Sequence, residues 1–143
     1  MTIAQKYKKW KNLDVLQQVM FTVVEYKDEI VQLNREQLMD GVNKNNVKIT
    51  PEYTSESYAK SKNKRNPSAG YLTPDLYNKG SFHEGIVLDV LDKTKYSIHS
   101  IDSKNKMLED KYKDIFGLNS QSKAEIKNEF QVSFIKRIKD ATE

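Results

Sequence analysis

His83 and His99 are the two imidazoles of this 143-residue chain, so a metal centre or a general base would start from them. The pattern around them reads as two strands, Phe82 to Leu91 and Lys95 to Ile101, joined at an Asp92-Lys93-Thr94 turn. Pairing those strands sets His99 opposite about Ile86 to Leu88, leaving His83 roughly 10–17 Å away along the sheet. The spacing therefore predicts two separate histidines, at the surface or in a subunit contact, and no shared ion. Glu109, Asp110 and Asp114 form the other cluster, with Asp110 and Asp114 on one helical face. Carboxylate pairs can hold a divalent ion or move a proton. Lys106, Lys111 and Lys113 interleave with them, which predicts a solvated, self-compensating surface instead. With no cysteine, no His-Glu-x-x-His, no Gly-x-Ser-x-Gly elbow and no Walker loop, the expectation is a protein that is not an enzyme and carries no cofactor or metal.

Positive charge is the next candidate chemistry. The net charge is +4, and the densest basic run is Lys60-Ser61-Lys62-Asn63-Lys64-Arg65, with Tyr58 and Tyr71 on its flanks. Basic residues beside aromatics can follow a nucleic-acid backbone and stack bases, so Lys60, Lys62, Lys64 and Arg65 are candidate DNA-facing residues. A solvated loop with no partner competes evenly with that reading. Only Arg35, Arg65 and Arg137 among the 24 basic residues are arginines. Lysine attracts phosphate as a point charge without the planar fork of arginine, which fits tolerance of nucleic acid better than sequence-specific reading. Neither an RNP motif nor a helix-turn-helix pattern is present.

The elements that would position these groups follow from periodicity. Thr2 to Gln5 has the form of a capping box, opening a short helix to about Lys11 with Ile3, Tyr7 and Trp10 on one face. That face predicts either a helix lying on its own core or an aromatic arm that docks on a neighbour. Asn12 or Asp14 can cap a second helix running to about Asp40, in which Leu13, Leu16, Met20, Val23, Tyr26, Ile30 and Leu33 form a continuous stripe. Such a helix would be roughly 40 Å long and serve as the spine, stopping at Gly41. From Val42 to Lys79 the helical pattern lapses, and all three prolines fall there. Tyr53, Tyr58, Tyr71 and Tyr77 make this stretch too aromatic for a linker. It predicts an extended loop, with a short helix near Ser55–Lys62, that orders against something else. Lys104 to Phe116 reads as a short helix or irregular turn ending at Gly117. Ser122 to Glu125 is a second capping box, launching a C-terminal helix in which Ile126, Phe130, Phe134 and Ile138 recur every fourth residue.

Together these predict a single α+β domain over 1–143: a helical spine (1–41) packed on a small antiparallel sheet (81–102), an extended polar and aromatic loop (42–80), and a C-terminal helical part (103–143). No run approaches the roughly 18 apolar residues of a membrane span. The first ten residues lack the apolar core of a signal peptide, so folding in a cytoplasm is expected.

The segment from Asn66 to Ile86, and especially Asn78-Lys79-Gly80-Ser81-Phe82-His83-Glu84-Gly85-Ile86, resembles the middle of tail-completion and head–tail joining proteins of tailed bacteriophages. In that family a polar loop leads through a polar-x-Gly-x-aromatic turn into a strand. Lys111 to Asn119 sits where the family places an acidic-aromatic-Gly turn, with Ile115 in the position of the acidic residue. The resemblance covers Asn66 to Asn119 together with the order of elements. It implies a structural virion subunit of the neck or tail, assembled in the bacterial host cytoplasm into a ring with copies of itself. Its partners would be portal, adaptor or tail proteins, with non-specific contact to packaged DNA. The subunit-contact candidates are Ile3, Tyr7, Trp10, Tyr53, Tyr58, Tyr71, Tyr77 and the end of the C-terminal helix, and Gly80 with Phe82 would form a structural turn. The alternative from the residues alone is a small cytoplasmic protein that binds nucleic acid without sequence preference.

Overall fold

The computed structural model describes residues 1–143 and is α+β. Seven α-helices accompany one two-stranded antiparallel sheet: α1 (Ile3–Lys11), α2 (Val15–Glu25), α3 (Lys27–Met39), α4 (Glu56–Arg65), α5 (Ser81–Glu84), β1 (Ile86–Asp92), β2 (Lys95–Ser100), α6 (Asn105–Lys111) and α7 (Ser120–Thr142). A 3-10 turn, Pro67–Ala69, follows α4. No helix is long and apolar enough to cross a membrane.

The expected single spine is two helices. Tyr26 closes α2 and opens α3 with φ −101° and ψ 13°, outside helical geometry. Its ring packs on Phe130 of α7 at 6.2 Å, and its hydroxyl donates to the Glu129 carbonyl at 3.3 Å. Glu25 is also held by α7, through Arg137 at 2.8 Å and the Ser133 hydroxyl. Tyr26 and Glu25 thus both address α7 at the junction of the two helices. The break shifts the phase of the apolar stripe. Leu16 is half exposed, and the residues of α3 that are buried are Val31, Asn34, Gln37 and Leu38.

Val31 and Leu38 join Ile49, Phe82, Ile86, Tyr112 and Ile115 in the core, with Leu76, Leu88, Ile98, Leu108 and Phe116 packed around them. Asn34 and Gln37 dock the irregular segment after α6. Asn34 donates to the Ile115 carbonyl and accepts from the Gly117 amide, both at 2.9 Å. Gln37 donates to the Gly117 carbonyl at 2.8 Å and accepts from the Asn119 amide at 2.9 Å. Each side chain thus imitates one rung of a β-ladder, satisfying backbone groups that no strand reaches. Asn119, not Ser122, caps α7, accepting from the Ser122 amide at 2.9 Å.

The sheet is shorter than expected. Phe82 and His83 lie in the single turn α5, and β1 begins at Ile86, paired with Ser100; Val87 faces His99. The central segment is not an open loop. Ser55 caps α4, which extends the expected short helix to Arg65. Gly41 ends α3 at φ +71°, where an added Cβ would lie 2.7 Å from the Thr73 methyl and 2.9 Å from the Ala69 carbonyl oxygen. That close approach is how residues 69–73 pack onto the end of α3.

The Thr2–Gln5 capping box forms in both directions, yet α1 does not lie on a core. None of its residues is buried, and Ile3, Tyr7 and Trp10 are 88%, 67% and 56% exposed. More broadly, 24 of 143 residues are buried, and polar ones outnumber hydrophobic ones among them. The accessible surface is 9316 Å². A compact monomer of this mass would expose about 7,600 Å².

Candidate functional site

α4 carries the basic run, and the structure splits it. Lys60 pairs with Glu56 at 3.3 Å on the exposed face, where Lys64 and Arg65 also lie. Lys62 turns inward and is 6% exposed, so it is not a DNA-facing residue. A helix places successive side chains about 100° apart, and one member of any four-residue charged run must face what the helix packs on. Here that surface offers a carboxylate. Asp75, 2% exposed, accepts from Lys62 Nζ at 2.6 Å, from Asn66 Nδ2 at 2.9 Å and from the Tyr77 amide at 2.9 Å. Lys62 also donates to the Tyr77 carbonyl.

His83 belongs to the same knot. It is 4% exposed, which corrects the expectation of a surface histidine. Its Nε2 lies 2.8 Å from the Asp75 carbonyl. A carbonyl can only accept, so Nε2 carries the proton. Burial holds the imidazole below its ordinary pKa, only partly offset by the Asp75 contact. Arg35 of α3 closes the arrangement by donating to the carbonyls of His83 at 2.7 Å and Glu84 at 3.1 Å. The charged and polar groups are mutually satisfied, with Lys62, Asp75 and His83 sealed and Asn66 and Arg35 half-buried, so the knot clamps residues 62–86 together. His99 lies apart on β2, 3.5 Å from Asp89. Asp114 lies beyond the end of α6, so it shares no helical face with Asp110; it pairs with Lys44 at 3.6 Å instead.

Beside the knot opens a cleft of about 210 Å³. Tyr53, Tyr58, Tyr77 and Tyr112 line it, with Pro74, Leu76, Phe82 and Leu108, and Lys79 and Lys104 also border it. Tyr53 and Tyr58 meet edge to face at 5.0 Å. Burial, and then the Asp75 charge, raise the Tyr53 phenol above its ordinary value, keeping it a neutral donor. Gly80 shapes this wall at φ +94°; a Cβ there would come 3.0 Å from the Tyr77 hydroxyl.

The chain matches no family model, no curated protein and no solved structure.

Three of the five tyrosines expected to make subunit contacts, Tyr53, Tyr58 and Tyr77, therefore converge on one cleft together with Gly80 and Phe82. Tyr71 is exposed and outside its lining, and Ile3, Tyr7 and Trp10 form a separate exposed stripe on α1. Asp75, Asn66, Arg35, Asn34 and Gln37 were not singled out from the sequence. Asn34 and Gln37 did leave a trace, since they occupy the same helical face as Val31 and Leu38.

Proposed function

We propose that this chain is a structural assembly subunit without enzymatic activity, of the kind that forms rings at the head–tail junction or in the tail of tailed bacteriophages. One observation carries the assembly part: a folded domain leaves every residue of α1 exposed, with an aromatic stripe facing solvent. Contiguous exposed apolar surface on a soluble domain marks an interaction site. The virion part rests on the resemblance of Asn66 to Asn119 to tail-completion and head–tail joining proteins. The Gly80 turn fits that pattern, with positive φ at Gly80 and a buried Phe82 behind it. Copies of itself and other neck or tail proteins are then the partners, and assembly takes place in the host cytoplasm.

The test is genetic and structural. A phage carrying this gene should contain the chain in purified particles, detected by mass spectrometry and placed by cryo-EM. Deleting the gene should yield heads and tails that fail to join, or tails that fail to complete. Particles that form and infect normally without the chain would sink the proposal. The competing nucleic-acid reading loses Lys62 from its basic run and keeps Lys60, Lys64 and Arg65. It would prevail if the isolated monomer bound random DNA in a salt-sensitive way that required those three residues.

A further inference from the structure

Resting on that reading, we infer that α1 of one copy docks in the groove between α3 and α7 of the next copy. The ligand side is an amphipathic helix with anchors Ile3, Tyr7 and Trp10 at the i, i+4, i+7 spacing used by helices that lie in grooves. Lys6 and Lys11 fall about 70° to either side of that stripe. No acidic residue lies in α1, and neither of these lysines has a carboxylate within 4.0 Å.

The receiving side is the complement. Between α3 and α7 runs an open groove of about 280 Å³ containing the apolar residues Leu33 and Ile126. Glu29 and Glu36 stand on the α3 wall, Glu125 and Glu129 on the α7 wall, and no basic residue lines it. None of the four carboxylates has a cation within 4.0 Å. An apolar stripe between two lysines therefore meets an apolar floor between two glutamate walls.

The contact must be between copies. α1 is fastened at the far end of α7, where Lys9 donates to the Glu143 backbone oxygen. Glu129 and Ala141 are separated by about 18 Å of helix, so a copy cannot fill its own groove. Two different patches meeting head to tail generate a ring or a filament, not a closed twofold dimer. The exposed area agrees in scale. The excess over a compact monomer is roughly 1,700 Å², and a ring subunit contributing half of two standard interfaces buries about 1,600 Å².

Sedimentation of the full chain with two variants tests this. One is Tyr7→Ala/Trp10→Ala, which damages the arm; the other is Glu125→Lys/Glu129→Lys, which damages the groove. Circular dichroism should show both folded, since none of these four side chains is buried. Wild type should sediment as oligomers that dissociate as salt rises. Each variant alone should associate at least tenfold more weakly, and an equal mixture should form dimers, because an intact arm in one meets an intact groove in the other. Wild-type oligomers that survive both variants would overturn the docking and leave the assembly reading standing. Mixtures that stay monomeric, or a wild type that is monomeric throughout, would also overturn it, and the presence of the chain in virions would then judge the assembly reading separately.

Discussion

Lys62 lies on α4 four residues before Asn66, the residue that closes that helix, and both reach Asp75. Removing one member of a buried ion pair leaves the other charge without compensation, at a cost of about 3 kcal/mol. Lys62→Ala should therefore lower the urea midpoint markedly, whereas Lys64→Ala should leave it unchanged. Equal midpoints for the two would show that Lys62 is not clamped. His83 adds a pH dependence. Its folded pKa is depressed by burial, so the unfolded chain binds the extra proton first as pH falls below about 6.5. The stability contribution is thus complete above that pH and declines below it, towards the lower folded value. Calorimetric melting should fall between pH 7 and 5 in wild type and stay flatter in His83→Gln. The carboxylates of Asp14 and Glu25, lowered by their hydrogen-bond partners Lys93 and Ser133, lose their contribution only at more acid pH and do not blur that window.

Among the elements, α1 and α3 are opposites. α3 supplies Leu38, fully buried, and the two amide side chains that hold residues 115–119. Leu38→Ala should cost about 3 kcal/mol. Trp10→Ala should stay within about 0.5 kcal/mol of wild type when the isolated monomer is unfolded in urea. A large loss at Trp10 would mean that its ring packs on its own domain. Helix starts were legible from a local side-chain cap at Thr2, Asp14 and Ser55, but not at α7, which Asn119 caps three residues before the expected Ser122. The hairpin and the placing of His99 opposite Ile86 to Leu88, where it pairs with Val87, were legible because turn chemistry and alternation act over a few residues. What local pattern could not reveal depended on distant partners. The break at Tyr26 answers to α7, and the inward turn of Lys62 answers to a carboxylate thirteen residues later. The cleft was visible only as scattered tyrosines, since their convergence needs the Asp75 knot.

At the scale of the whole molecule, few residues are buried and much apolar surface remains outside. If assembly covers part of that surface, folding and association are linked by mass action. The melting temperature should then rise with protein concentration in wild type. It should become independent of concentration in Tyr7→Ala/Trp10→Ala. A wild-type melting temperature that ignores concentration would indicate a domain whose stability is complete in one copy.

The inward lysine also changes how the chain meets reagents. Acylating compounds need an accessible amine, and Lys62 is buried in its ion pair to Asp75. Its neighbours Lys60 and Lys64 are open to solvent. Brief treatment with an amine-reactive ester should therefore tag Lys60 and Lys64 and spare Lys62 until the domain opens. One peptide would then hold both an internal standard and a built-in clock for unfolding, readable by mass spectrometry inside an intact assembly.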